Sequence, residues 1–158
     1  MHIPLLLPLL IPLAQCTHLR VLIASTTGLS NPGTLPPSTS ASLTTLSRQL
    51  HAPLRADNSF DFRNVSAGSY LLDIHSHTYE FAPLRVDVHG EVETRTVEPE
   101  VQVWGTFRGN EWGNKGEKVD VTEIEKENKG EAVFAFAVKA RGKKEYLVKK
   151  QGCEFSLG

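Results

Sequence analysis

Asn58-Ser-Phe-Asp-Phe-Arg-Asn-Val65, Ser66-Ala-Gly68 and Ser69-Tyr-Leu-Leu-Asp-Ile-His75 follow one another without a break, and their reading decides the fold. In the first stretch Phe60 and Phe62 alternate with Asp61 and Arg63, the period-two pattern of a strand with one wet face. In the third, Tyr70, Leu72 and Ile74 fall on one side and Leu71, Asp73 and His75 on the other. A short glycine-containing turn joins the two runs, so the spacing predicts a β-hairpin. Phe60, Phe62, Tyr70, Leu72 and Ile74 are the predicted heart of the core.

Working outward, the same signals recur. His18–Ala24 is a short apolar run bounded by a turn cluster and reads as a strand. Residues 25–40, with Asn31-Pro-Gly33 and Pro36-Pro37, read as a loop. Residues 41–46 and 50–56 read as strands, with Pro53 confining the second to an edge or a bulge. Phe81–Val88 reads as one strand with Leu84, Val86 and Val88 inward, and residues 92–97 and 101–107 as two more. The polar stretch from Arg108 to Gly130 reads as a long loop or hairpin arm, and segment 110–128 as dispensable for stability. Residues 132–138 form the final apolar strand, with Phe134 and Phe136 on one face, and a basic tail follows. Short strands separated by turns, with no helical period, predict an all-β chain, an antiparallel β-sandwich or a small barrel.

The chain has 158 residues, a length that suits one domain. Its formal charge of -1 supplies no field that would draw it to nucleic acid. Residues 3–14, IPLLLPLLIPLA, carry no charge and are too few to span a bilayer. They end in Ala14-Gln15-Cys16, a small-x-small site, so residues 1–16 read as a secretory signal peptide cut after Cys16. Removal of Cys16 leaves Cys153 as the one thiol and no internal disulfide. No later run reaches the ~18 apolar residues of a transmembrane helix.

The string Phe60-Asp-Phe62, Gly68-Ser-Tyr70, then Phe81-Ala-Pro83-Leu-Arg85-Val-Asp-Val88 resembles the prealbumin-like and carbohydrate-binding-like sandwiches. With Tyr79–Val88, Trp104-Gly-Thr-Phe-Arg-Gly109 and Leu35-Pro-Pro-Ser-Thr39, the chain is similar to fungal members of the endoplasmic reticulum membrane protein complex subunit 7 family over residues 19–152. The resemblance implies a lumenal β-sandwich domain, here residues 17–142, followed by a tail at 143–158. It implies a non-catalytic subunit on the lumenal side of the endoplasmic reticulum membrane, supporting insertion of transmembrane segments, with the other subunits of that complex as partners. Relatives continue into a transmembrane helix. Lys143-Lys-Glu-Tyr-Leu147 looks like the lead-in to it, and the helix itself is absent from this chain, so membrane association is expected through the complex or through a missing C-terminal helix.

Candidate chemistry is sparse. His75 and His77 lie two apart on one strand face near Asp73, with Asp87 and His89 as the nearest further ligands by sequence, and the solvated reading outweighs a metal site. No nucleophile elbow, phosphate loop or dinucleotide fingerprint is present, so no catalytic residue, cofactor or metal is assigned. Trp104 and Trp112 could form a sugar-stacking platform, which keeps a secreted carbohydrate- or protein-binding module as the alternative and a glycan as a possible ligand. Trp104 suits the core equally well; Trp112, in a Gly/Asn-rich loop, is the partner-binding candidate. Asn64-Val65-Ser66 is the one N-glycosylation sequon, with Asn64 as the acceptor. N-terminal sequencing of the protein from a eukaryotic secretory host should begin at Thr17; a chain that still begins at Met1 refutes the signal-peptide assignment.

Overall fold

A computed structural model of the chain describes residues 16–90, 101–125 and 132–145. In chain order the strands are β1 (Thr17–Ala24), β2 (Ser40–Thr44), β3 (Gln49–Pro53), β4 (Ser59–Val65), β5 (Gly68–His75), β6 (Tyr79–Phe81), β7 (Leu84–Val88), β8 (Val101–Gly105), β9 (Lys118–Val119), β10 (Val121–Glu125) and β11 (Ala132–Lys143). They form two sheets. The first runs β10-β11-β1-β4, with β6 paired to the far end of β11; the second runs β3-β2-β5-β7-β8-β9. The all-β sandwich is as the sequence predicts, and the pairings are antiparallel except for β1 and β11, which run parallel.

The predicted hairpin is not one. β4 pairs with β1 in the first sheet, while β5 pairs with β2 and β7 in the second. Residues 66 and 67 therefore carry the chain across the sandwich. Phe60 and Phe62 are buried, as are Tyr70, Leu72 and Ile74, but they face each other across two sheets and do not share the face of one. Period two records which side of a strand is dry; it does not say which strand lies beside it. The crossover is pinned by Tyr70, a buried residue whose hydroxyl donates to the Ser66 carbonyl at 2.8 Å and lies 3.0 Å from the Ser66 hydroxyl. Gly68, with φ +152°, opens β5 in a region closed to other residues.

Three further expectations change. Pro83 removes a ladder donor and splits the single strand predicted over 81–88: β6 joins the first sheet and β7 the second. The polar stretch after Arg108 contains β9 and β10, which join opposite sheets through Asp120, so residues 118–125 of the segment expected to be dispensable are part of the framework. The last strand does not stop at Val138; it continues through the basic residues to Lys143, because β6 offers a partner there. The strand expected over 92–97, the leader at 1–15 and Cys153 lie outside the described residues.

The core fills the space between the sheets. Leu19, Val21, Phe60, Phe62, Phe134 and Phe136 come from one side, and Leu43, Tyr70, Leu72, Val86 and Val103 from the other. Leu29 and Leu35, from the loop after β1, are buried in the same cluster. Between them Pro32–Thr34 forms a 3-10 turn capped by Asn31, whose side chain accepts from the Gly33 N–H at 2.9 Å. β3, the edge strand of the second sheet, carries Pro53 at its end, as its sequence required. Phe62 is 2 % exposed, so Phe62→Ala should lower stability by about 3–5 kcal/mol in denaturant unfolding. A loss under about 1 kcal/mol would mean that the site is not packed as described.

Candidate interaction surface on the outer face of the second sheet

The outward side chains of the second sheet are set by the same alternation that buries its core. On β7, Leu84, Val86 and Val88 point in, which leaves Arg85 and Asp87 on the other face. Registry then puts Arg85 beside Leu71 of β5 and Trp104 of β8, with Lys118 of β9 next in the row. Asp87 lies beside Ser69 and Gln102.

Asp87 is buried although it lies on an outer face, because residues 106–117, between β8 and β9, fold back over the sheet as a strap. Ser69 Oγ donates to Asp87 Oδ1 at 2.7 Å, and Arg85 Nε donates to both carboxylate oxygens at 2.9 and 3.1 Å. Lys115 of the strap sits 3.7 Å from Oδ2. Burial by itself pushes this carboxyl up; the Ser69 hydroxyl, the Arg85 guanidinium and the Lys115 charge outweigh it and hold the group below the usual carboxylate range.

Arg85 also donates through Nη1 to the Trp112 carbonyl, and its guanidinium stacks on the Trp112 ring at 4.6 Å. Lys115 and Lys118 lie over the Trp104 ring at 4.9 and 5.6 Å. Within the strap, Asn110 Nδ2 donates to the Asn114 carbonyl at 2.8 Å. Its return is fastened by backbone: the Gly105 N–H donates to the Glu117 carbonyl at 2.7 Å and the Gly116 N–H to the Gly105 carbonyl at 3.1 Å. A Cβ on Gly116 would lie 2.4 Å from the Gly105 oxygen, so the close approach requires glycine.

The site residues expected from sequence therefore separate. Trp112 is exposed, at 47 %, but it is held on Arg85. Trp104 is half-buried beneath two lysines, and its indole N–H is buried with no acceptor among the described residues. Asn64 is exposed at the end of β4, far along the sequence from the strap, in a left-handed conformation with φ 57° that asparagine tolerates. His75 and His77 are both exposed, but only His75 lies within β5, and its Nε2 is 3.1 Å from Ser42 Oγ. Asp87 is committed to Ser69, Arg85 and Lys115, and among the described residues no three metal-ligating side chains come together. What sequence reasoning missed is Arg85 with Asp87. The signal was present, because two opposite charges alternating with Leu84, Val86 and Val88 in a core strand must share the outer face.

The first sheet carries a counterpart. Asp61 on β4 lies against buried His18, with Arg20, Arg55 and Arg63 at 3.6, 3.2 and 3.3 Å. Burial raises this carboxyl, while the bond to His18 and the surrounding guanidinium groups lower it further than burial lifts it.

These features define an all-β sandwich with a strapped, partly aromatic outer face. Residues 30–156 of the chain match the model of the β-sandwich domain of endoplasmic reticulum membrane protein complex subunit 7, and the chain belongs to that family. No curated protein matches the chain. Among the described residues no helix is long and apolar enough to cross a membrane.

Because the folded carboxyls of Asp87 and Asp61 lie below their unfolded value of about 3.9, their contribution is complete above that pH and is lost as pH falls through the folded values. Asp87→Asn should therefore cost about 1.5–3 kcal/mol at pH 7. Its deficit relative to the parent should shrink in thermal unfolding as pH drops from about 4 toward 2. A deficit that stays constant over that range would mean that the Asp87 charge is not the stabilising feature.

Proposed function

We propose that this chain is a non-catalytic, lumenal subunit of the endoplasmic reticulum membrane protein complex, that it supports insertion of transmembrane segments, and that it meets its neighbouring subunits through the strapped face of the second sheet. The family supplies the complex. The surface rests on one observation: Trp112 is a large exposed aromatic whose orientation is fixed in advance by the Arg85 stack and the Arg85–carbonyl bond. Pre-ordered tryptophans beside arginines are the residue types that dominate protein interfaces, since little freedom remains to be lost on docking.

In this reading the leader directs the chain to the secretory pathway, membrane association comes through the complex, and Asn64 is the glycan attachment point. A sugar-binding role has less support, because Trp104 and Trp112 each already hold a cation over the ring. Trp112→Ala should leave the unfolding temperature nearly unchanged and sharply reduce co-purification of the other complex subunits from detergent-solubilised membranes. Full recovery of those subunits with the variant, or selective retention of the parent chain on a glycan array, would overturn the assignment.

A further inference from the structure

A cleft of about 620 Å³ opens on the surface without Trp112 in its lining. The end of β5, the Ser76–Thr78 link, β6, the first residues of the strap and the C-terminal part of β11 enclose it. Three permanent cations line it: Arg108, Arg141 and Lys144. Lys144 is fixed at the rim, its ammonium donating to the Ser76 carbonyl at 2.7 Å and its backbone N–H to the Thr78 carbonyl at 2.8 Å. Arg108 is 91 % exposed and only 3.9 Å from Asp73, a loose pair that holds the guanidinium weakly. Arg141, within β11, is exposed. Beside these cations stand Phe107, 62 % exposed, and half-buried Tyr79.

Cations exceed carboxylates here, Arg108, Arg141 and Lys144 against Asp73 and Glu80, in a chain whose total charge is -1. The positive excess is therefore local. Two guanidinium groups and an exposed phenyl ring in one lining match carboxylates carried beside apolar side chains. Asp73 and Glu80 sit in the same lining and oppose a continuous layer of anionic headgroups, whereas an extended chain can place single carboxylates between them. We propose that this cleft binds an acidic peptide segment of a partner protein, with its carboxylates on Arg108 and Arg141 and its apolar side chains on Phe107 and Tyr79.

The proposal stands independently of assembly into the complex and is tested on the purified full chain. The probe is a dye-labelled Glu-Phe-Glu-Phe-Glu peptide, followed by fluorescence anisotropy against its Lys-Phe-Lys-Phe-Lys counterpart. The acidic peptide should bind at least about tenfold more tightly than the basic one, and less tightly as salt rises. Arg108→Glu with Arg141→Glu should weaken it by about tenfold or more, and Phe107→Ala should weaken it without altering the salt dependence. Arg48→Glu, in the exposed β2–β3 turn, should leave it unchanged. Matching thermal unfolding shows that the variants are folded; if the double variant is not, Arg141→Glu alone is read. Equal binding of the two peptides, or undiminished binding by the folded arginine variant, overturns the proposal. So does sedimentation with anionic phospholipid vesicles that the acidic peptide cannot displace, which would assign the cations to a membrane.

Discussion

Tyr70 carries its ring through the apolar layer and returns its hydroxyl to the Ser66 carbonyl, two residues before β5 begins. A buried phenol without a partner would cost about 1–3 kcal/mol, so the ring can be buried only if residues 66 and 67 pass above it. That requirement fixes where the chain leaves the first sheet and where it enters the second. With the crossover set, Phe60 and Phe62 descend from one side and Leu72 and Ile74 rise from the other. The remaining strands add to the edges of two sheets whose separation and register are then determined. β1 and β11 extend the first beside β4, and β2 and β7 flank β5 in the second.

Each sheet is also closed on its outer face by one carboxylate. Asp61 gathers His18, Arg20 and two further arginines; Asp87 gathers Ser69, Arg85 and Lys115. The two sites differ in what they organise. Around Asp61 the partners come from β1, β4 and the β3–β4 link, so the charges join neighbouring strands of one sheet. Around Asp87 one partner comes from the strap, which ties a long connection to the sheet beneath it. A buried charge with several donors is costly to strip of any one of them, and this is why a polar, glycine-rich segment lies down on the sheet.

The fold class and the core faces were legible because alternation reports burial directly. Phe60, Phe62, Tyr70, Leu72 and Ile74 are all inside. Their pairing was not legible, since a short glycine turn serves a crossover between sheets as readily as a hairpin within one, and the deciding contact is the Tyr70–Ser66 bond. Pro83 was visible, but its consequence, two strands in different sheets, depended on β11 being long enough to receive β6. β9 and β10 were hidden because Lys118, Thr122 and Glu123 are exposed residues in an edge region, where few apolar positions are needed. At the candidate site, composition pointed to Trp112. Arg85, which orients it, comes from a distant strand, and only registry brings the two together.

The strap links the two surfaces physically. It leaves β8 at Gly105, and the Thr106 N–H donates to the Pro83 carbonyl at 3.3 Å, which places Phe107 and Arg108 over the cleft. The turn at Asn110 then reverses it, and Trp112 and Lys115 come down on Arg85 and Asp87. Its two ends are held by different forces. At the cleft there is a weak, solvent-screened pair between Arg108 and Asp73; at the sheet there are buried charge contacts and the backbone bonds of Gly105 with Glu117 and Gly116, which water screens far less. The cleft end is consequently the end that can adjust to a ligand at little cost, while the Trp112 end keeps a single arrangement. A segment anchored in this way presents one preformed surface and one adaptable surface from the same short stretch of chain.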